Sequence, residues 1–248
     1  MMMIYNTIQG IRDELARKYI DNEFVIDKSG VKVLEIIGSS FIANEDTIFG
    51  EVNQDYVERE LQWYNSQSLN VNDIPGEVPQ IWQQVSDKDG WINSNYGWCI
   101  YSNLNFNQYD FALNELIKHP DSRRACMLYT RPSMNVEYNK NGMSDYMCTT
   151  HSQVFIRNNQ LYYLIGQRSG DIVFGIINDL QWHKYVHQKL LNDLNTQGNN
   201  YELGDIYYQL GSLHLYERHF YLIDHYIKTG EINITKKEYN KLYGEKHD

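Results

Sequence analysis

The sequence predicts a single α+β domain over residues 1–248. Three observations carry this reading. Strand-like and helix-like segments are both present, but they do not alternate regularly as βαβ units do. No repeat, low-complexity tract or Pro/Gly-rich linker divides the chain. Its 248 residues, 42% of them hydrophobic, suffice for one domain with a substantial core.

Ile8, Ile11, Leu15 and Tyr19 recur at helical spacing and predict a first helix. Val31 to Ile37 is β-branched and apolar, ends at Gly38, and reads as a strand. Asp55 to Tyr64 reads as a helix with Asp55 as its N-cap. Leu69 to Asp89 lacks periodicity and holds Pro75, Gly76 and Pro79. It reads as a long loop, and loops of that length are often functional. Gln108 to Lys118 is expected as a helix ended by Pro120, and Ala125 to Thr130 as a strand. Gln153 to Ile156 and Leu161 to Gly166 flank Arg157-Asn158-Asn159-Gln160, a hairpin with the two asparagines at its tip. Asp179 to Leu194 is amphipathic and helical, Ile206 to Leu210 is a strand, and Tyr216 to Thr229 is a helix capped by Gly230.

The formal net charge of -10 argues against sequence-independent nucleic-acid binding, which needs a broad basic surface. A local pair such as Arg123-Arg124 can still hold an anionic ligand. Cys99, Cys126 and Cys148 are sparse and form no CxxC pair, which indicates free thiols in a reducing compartment such as the cytoplasm. Met1 to Gly10 carries no leader pattern, and no stretch approaches a membrane span. His183 and His187 have the spacing of a helical metal pair, but no third ligand stands nearby, so no metal is expected. Asn233-Ile234-Thr235 is a glycosylation sequon without a secretory route.

Cys148 sits where an irregular segment enters a strand, a place where a thiol can meet a ligand, and Arg168 could favour its thiolate. Cys99 and Cys126 lie in apolar runs and are assigned to packing. Arg123 and Arg124 follow Pro-Asp-Ser, which favours a turn, and could present two guanidinium forks to one phosphate. Gln167-Arg168-Ser169-Gly170-Asp171 ends a strand; Arg168 and Ser169 can donate to phosphate oxygens, and Gly170 leaves room for close approach. His214 and Tyr216 are two apart on a strand and share a face.

These motifs, in this order from about Asp27 to Tyr216, resemble the thymidylate synthase superfamily. The resemblance implies a thymidylate synthase-like fold, a mixed sheet packed with helices, with one sheet face forming a homodimer interface. It implies that Cys148 is the nucleophile and that Arg168 and Ser169 hold the nucleotide phosphate. Arg123 and Arg124 would reach the phosphate in the neighbouring subunit. His214 and Tyr216 would bind the deoxyribose hydroxyl, and Glu60 would organise water and proton transfer. Trp82, Tyr96, Asp171 and Gly175 would line the base pocket and the folate cleft. Lys28 stands where synthases have a phosphate-closing arginine.

Asp179 stands where synthases have the asparagine that reads uracil. A carboxyl there resembles the deoxycytidylate hydroxymethylases of tailed phages. So do Tyr129-Thr130-Arg131-Pro132-Ser133-Met134, Asn139-Lys140, Gly142-Met143-Ser144-Asp145 and Arg218-His219-Phe220-Tyr221-Leu222. Gln167 and Gly170 look more like synthases. A carboxyl accepts from the cytosine amino group and, when protonated, donates to N3. Asp179 is also suited to a helix start by the helix dipole, and both roles can hold together. The resemblance implies conversion of dCMP, 5,10-methylenetetrahydrofolate and water into 5-hydroxymethyl-dCMP and tetrahydrofolate, within a phage nucleotide-synthesis complex in the host cytoplasm. Three rivals stay open: a thymidylate synthase, a dUMP hydroxymethylase, and an inactive nucleotide-binding phage protein.

Overall fold

A computed structural model describes residues 6–244. Met1 to Tyr5, half of the segment read as lacking a leader, lie outside the described residues.

The chain opens with β1 (Asn6–Thr7) and α1 (Ile8–Ile20), where Thr7 caps the helix by accepting the Gly10 amide. β2 (Val25–Ile26) and β3 (Lys32–Ile42) follow. β3 runs past Gly38, where the sequence suggested a stop. Gly38 takes φ +67°, a value glycine adopts without steric cost, and the strand continues. α2 (Gln54–Ser66) is capped by Asn53 and not by Asp55. The Asn53 side chain accepts the Tyr56 amide at 3.1 Å, while Asp55 pairs with Arg59 at 3.0 Å. The loop predicted over Leu69 to Asp89 contains a 3-10 turn (Val71–Asp73) and α3 (Gln80–Val85). α3 buries none of its residues, so it leaves no apolar period to read.

α4 (Tyr96–Tyr101), a 3-10 turn (Asn103–Asn105) and α5 (Gln108–Lys118) lead to β4 (Cys126–Leu128) and α6 (Met134–Glu137). β5 (Thr149–Arg157) and β6 (Gln160–Asp171) form the predicted hairpin, both longer than expected. Its two-residue turn is Asn158-Asn159, with φ of 50° and 64°, as a type I′ turn requires. α7 (Ile176–Asn195) starts ahead of Asp179, which falls in its first turn. β7 (Glu202–Tyr216) is far longer than predicted, because Gly204 and Gly211 interrupt its pattern. A 3-10 turn (Glu217–His219) precedes α8 (Phe220–Thr229), which ends at Gly230 with φ +79°, the predicted cap. α9 (Lys236–Tyr243) was not expected, although Thr235 and Glu238 form a capping box.

The strand order is β1-β3-β7-β6-β5-β4, with β2 on β3. β1 is parallel to β3, and the β2–β3, β3–β7, β4–β5 and β5–β6 pairs are antiparallel. This is an α+β arrangement with a mixed sheet, as the sequence predicts.

The chain divides into two compact units, each discontinuous in sequence. The first holds the chain up to Val52, Ser169–Gln181, and Tyr207 onward. In it, Ile8, Ile11 and Leu15 of α1 are buried with Leu34 and Phe41 of β3, and Phe41 stacks on Tyr208 at 5.7 Å. Arg12, 3% exposed, forks onto Glu45 and donates to the Ile48 and Thr47 carbonyls, so this buried charge is fully engaged. The second unit holds Asn53–Arg168 and Trp182–Ile206. Its core is aromatic. Tyr64 stacks on Tyr96 at 5.3 Å and meets Trp182 edge-on at 5.2 Å. His183 is fully buried beside Tyr96, Tyr129 and Tyr163. Burial holds the His183 imidazole neutral, its pKa lowered to about 3.

Candidate active site

In the second unit, Cys148 is half-buried immediately before β5, at the strand entrance the sequence predicts. Arg168, near the end of β6, wraps the same segment. Its Nε donates to the Met147 carbonyl at 2.9 Å and its Nη2 to the Tyr146 carbonyl at 2.7 Å. Nη2 also lies 3.7 Å from Cys148 Sγ, and the guanidinium sits 4.9 Å from the Tyr146 ring centroid. The register that brings them together is antiparallel: Thr149 faces Gln167, and the Arg168 amide donates to the Cys148 carbonyl at 2.9 Å. A fixed positive charge beside a thiol favours the thiolate. The other two cysteines differ. Burial pushes Cys99 up to about 12 and also raises Cys126.

Asp145 pins the chain leading into Cys148. Its buried carboxylate accepts from the Asn93 and Ser94 amides at 2.6 and 2.8 Å and from the Ser94 hydroxyl at 2.6 Å. Burial nonetheless raises its pKa above the usual carboxylate range. Behind Cys148, Thr149 accepts from Gln167 at 3.1 Å and donates to the Tyr96 hydroxyl at 3.1 Å, so Tyr96 is tied to the strand that follows Cys148.

Glu60 lies on α2, 5% exposed. Tyr56, one helical turn earlier, donates to Glu60 Oε1 at 2.5 Å, and Trp82 Nε1 donates to the Tyr56 hydroxyl at 2.9 Å. Glu60 and Trp82, both named from sequence, are thus joined through a tyrosine that sequence reasoning missed. Arg123 and Arg124 lie on an exposed turn, where Arg124 meets Glu115 at 3.4 Å.

In the first unit, Asp171 ends β6 and accepts from the Val173 amide at 2.9 Å. Arg218 reaches it at 3.0 Å and lies 4.3 Å from the Tyr216 ring centroid. His214 meets Tyr216 edge-on at 5.0 Å, and its Nδ1 is 3.3 Å from Ser212 Oγ, which in turn donates to Glu35. Burial lowers the His214 pKa, which favours a neutral imidazole able to accept or donate. Asp171, His214 and Tyr216 are therefore neighbours. Arg218, which ties Asp171 to Tyr216, had no role assigned from sequence; an ion pair across 47 positions leaves no local trace.

Gly175 donates its amide to the Asp171 carbonyl at 3.0 Å, and the Asp179 amide donates to the Gly175 carbonyl at 2.9 Å. Asp179 is half-buried in the first turn of α7, where the helix dipole favours a carboxylate. Ser169 is half-buried in β6. Gly170 does not open space for a ligand as expected. A Cβ there would come within 2.5 Å of Ile176 and 2.6 Å of Leu210, so its missing side chain admits those two residues. Lys28 is exposed in a turn held by Asp27, which accepts from Ser29 and Val31.

His187 spends Nε2 on the Leu161 carbonyl at 2.6 Å. No cluster of three or more His, Cys, Asp or Glu able to hold a metal exists among the described residues. Nor, among them, is any helix long and apolar enough to cross a membrane.

The family model for thymidylate synthase matches residues 49–243, and the chain belongs to that family. The fold agrees with a solved structure, thermostable thymidylate synthase A from Bacillus subtilis. That match has a TM-score of 0.66 at 20% identity, covering 90% of this chain and 84% of the other. Within the family the chain is far more similar to one kind of relative. It is 54% identical over 239 residues to the deoxycytidylate 5-hydroxymethyltransferase of Enterobacteria phage T4, covering 96% of this chain and 97% of that protein. Against the thymidylate synthase of Bacillus subtilis subsp. natto, identity falls to 29% over 168 residues, 65% of this chain and 57% of that protein.

Proposed function

We propose that this chain transfers a hydroxymethyl group to C5 of dCMP, using 5,10-methylenetetrahydrofolate and water and releasing tetrahydrofolate. The observation that carries this reading is the 54% identity, sustained over nearly the whole of both chains, to a deoxycytidylate 5-hydroxymethyltransferase. Asp179 in the first turn of α7, where a synthase has asparagine, supports cytosine as the base.

The chemistry follows from the side chains. The Cys148 thiolate adds to C6 of dCMP, which makes C5 nucleophilic. C5 attacks the folate methylene and loses its proton. Departure of tetrahydrofolate leaves an exocyclic methylene. Water adds to that carbon, and release of Cys148 restores the ring. Arg168 holds the thiol as thiolate and, with Ser169, binds phosphate; Lys28 closes over it. His214 and Tyr216 take the deoxyribose hydroxyl. Asp179 accepts from the cytosine amino group and manages the proton at N3. Glu60 handles the water and proton steps. Trp82, Tyr96, Asp171 and Gly175 serve the base pocket and the folate.

The chain acts as one catalytic domain, a reading supported by a family match that runs through both compact units. It works as a homodimer in which Arg123 and Arg124 of one subunit complete the phosphate site of the other. Their exposure, and that of Ile37 and Leu128 on β3 and β4, suits a second copy. The product is a modified precursor for phage DNA, made in the host cytoplasm, with other enzymes of nucleotide synthesis as partners.

Parallel incubations with dCMP and with dUMP, each with methylene-folate, test the substrate. Turnover of dCMP with little turnover of dUMP is expected. Preferred turnover of dUMP would overturn the base assignment.

A further inference from the structure

We infer that Tyr56 is the positioning residue for Glu60, and that its hydroxyl links Glu60 to Trp82 in one directed hydrogen-bond chain. The inference rests on the role of Glu60 proposed above.

Tyr56 and Glu60 are four apart on α2 and so share a face of the helix. The Tyr56 hydroxyl lies 2.5 Å from Glu60 Oε1 and 2.9 Å from Trp82 Nε1. An indole nitrogen only donates, and a phenol has a single proton. The Tyr56 oxygen must therefore accept from Trp82, and its proton must point at Glu60. Polarity is fixed by chemistry: Trp82 N–H to Tyr56 O–H to the Glu60 carboxylate. Neither end can reverse it while Glu60 is ionised.

The mounting is firm on one side and loose on the other. Trp63, wholly buried, meets the Trp82 ring at 5.2 Å and anchors its own Nε1 on the Asn70 carbonyl at 3.1 Å. α3, which carries Trp82, buries none of its residues. Tyr56 therefore supplies a specific tie between a short, weakly packed helix and the carboxylate on α2. A group that must take a proton from water needs its carboxylate held in one orientation, and a phenol donor does this. The same tie carries any displacement of Trp82 to Glu60, so a co-substrate resting on Trp82 acts on the residue that handles water.

A double-mutant cycle on single-turnover kcat, with dCMP Kd measured by calorimetry, tests this. Tyr56→Phe should lower kcat about tenfold or more, part of what general acid–base catalysis contributes. Its Kd for dCMP should stay within about twofold of wild type. In a Glu60→Gln background the same change should cost less than about twofold, because the group it positions is already gone. Equal losses in both backgrounds, or no loss in the wild-type background, would overturn the inference and leave the role of Glu60 standing. Wild-type kcat in Glu60→Gln alone would remove that role and the inference with it. Should Tyr56→Phe not fold, the cycle is run with Trp82→Phe. Coupling between Trp82 and Glu60 is expected there, and strict additivity would overturn the inference.

Discussion

Removing the positive charge beside Cys148 should slow the thiol's reaction by a calculable amount. Arg168 Nη2 lies 3.7 Å from Cys148 Sγ. At that separation a charge pair is worth about 1 kcal/mol at the dielectric constant of water and about 4.5 kcal/mol at an effective value near 20. Arg168 is exposed, so the lower part of the range applies, about 1–2 kcal/mol. That corresponds to roughly a 5- to 30-fold smaller thiolate population in Arg168→Gln at neutral pH. The two bonds to the Met147 and Tyr146 carbonyls are also lost; at an exposed site these add about 1–2 kcal/mol of destabilisation. For a chain of this size, Tm should fall by about 2–8 °C. The assay is iodoacetamide alkylation followed by mass, at a temperature where the variant is folded. Cys99, held at about 12, and the raised Cys126 react slowly, so the fast phase reports Cys148. Arg168→Lys keeps the charge but cannot fork, and should fall between wild type and Arg168→Gln. Alkylation of Arg168→Gln at the wild-type rate would refute the electrostatic role, whatever happens to Tm.

Asp179→Asn should lower kcat/KM for dCMP by about 10³-fold, near 4 kcal/mol, while raising activity toward dUMP. Parallel loss of both activities with a lowered Tm would mean that Asp179 only starts α7, a cap-sized effect of about 1 kcal/mol. Mixed dimers of Cys148→Ser and Arg124→Ala chains should regain activity, since one site escapes both lesions; no recovery in demonstrably mixed dimers would mean each site is built from one chain. Burial lowers the pKa of His183 from 6.5 to about 3 and lowers those of His187, His214 and His219. The unfolded chain therefore binds protons that the folded chain refuses, and stability should fall as pH drops from about 6.5 toward about 3. His183→Phe should flatten that acid slope of Tm against pH, and identical slopes would contradict the assignment.

Much of this site was legible because its motifs are short and local. Cys148, Arg168, Asp171 and Asp179 were named from sequence; Cys148 immediately precedes β5, β6 carries Arg168 and Asp171, and α7 carries Asp179. The hairpin was legible for the same reason: Asn158 and Asn159 suit the positive φ of a two-residue turn. What escaped has a common cause. α3 buries nothing, so it has no apolar stripe, and the glycines of β7 break its alternation. Gly204 is explained only by the fold: a Cβ there would come within 2.8 Å of the Tyr162 ring. The sequence pointed to Asp55 as the cap of α2 because it lies nearer the apolar pattern, but Asn53 takes that role and the Asp55 carboxylate pairs with Arg59. Tyr56 could have been noticed four residues before Glu60, but the indole of Trp82 that fixes its proton is 26 residues away. Arg218 and Asp171 are joined only by the folding of the first unit.

The measurement that bears most directly on the reaction is product mass from dCMP and methylene-folate in water labelled with heavy oxygen. The account predicts 5-hydroxymethyl-dCMP carrying the label, together with tetrahydrofolate. A 5-methyl product accompanied by dihydrofolate would show hydride transfer instead of water addition, and would contradict it.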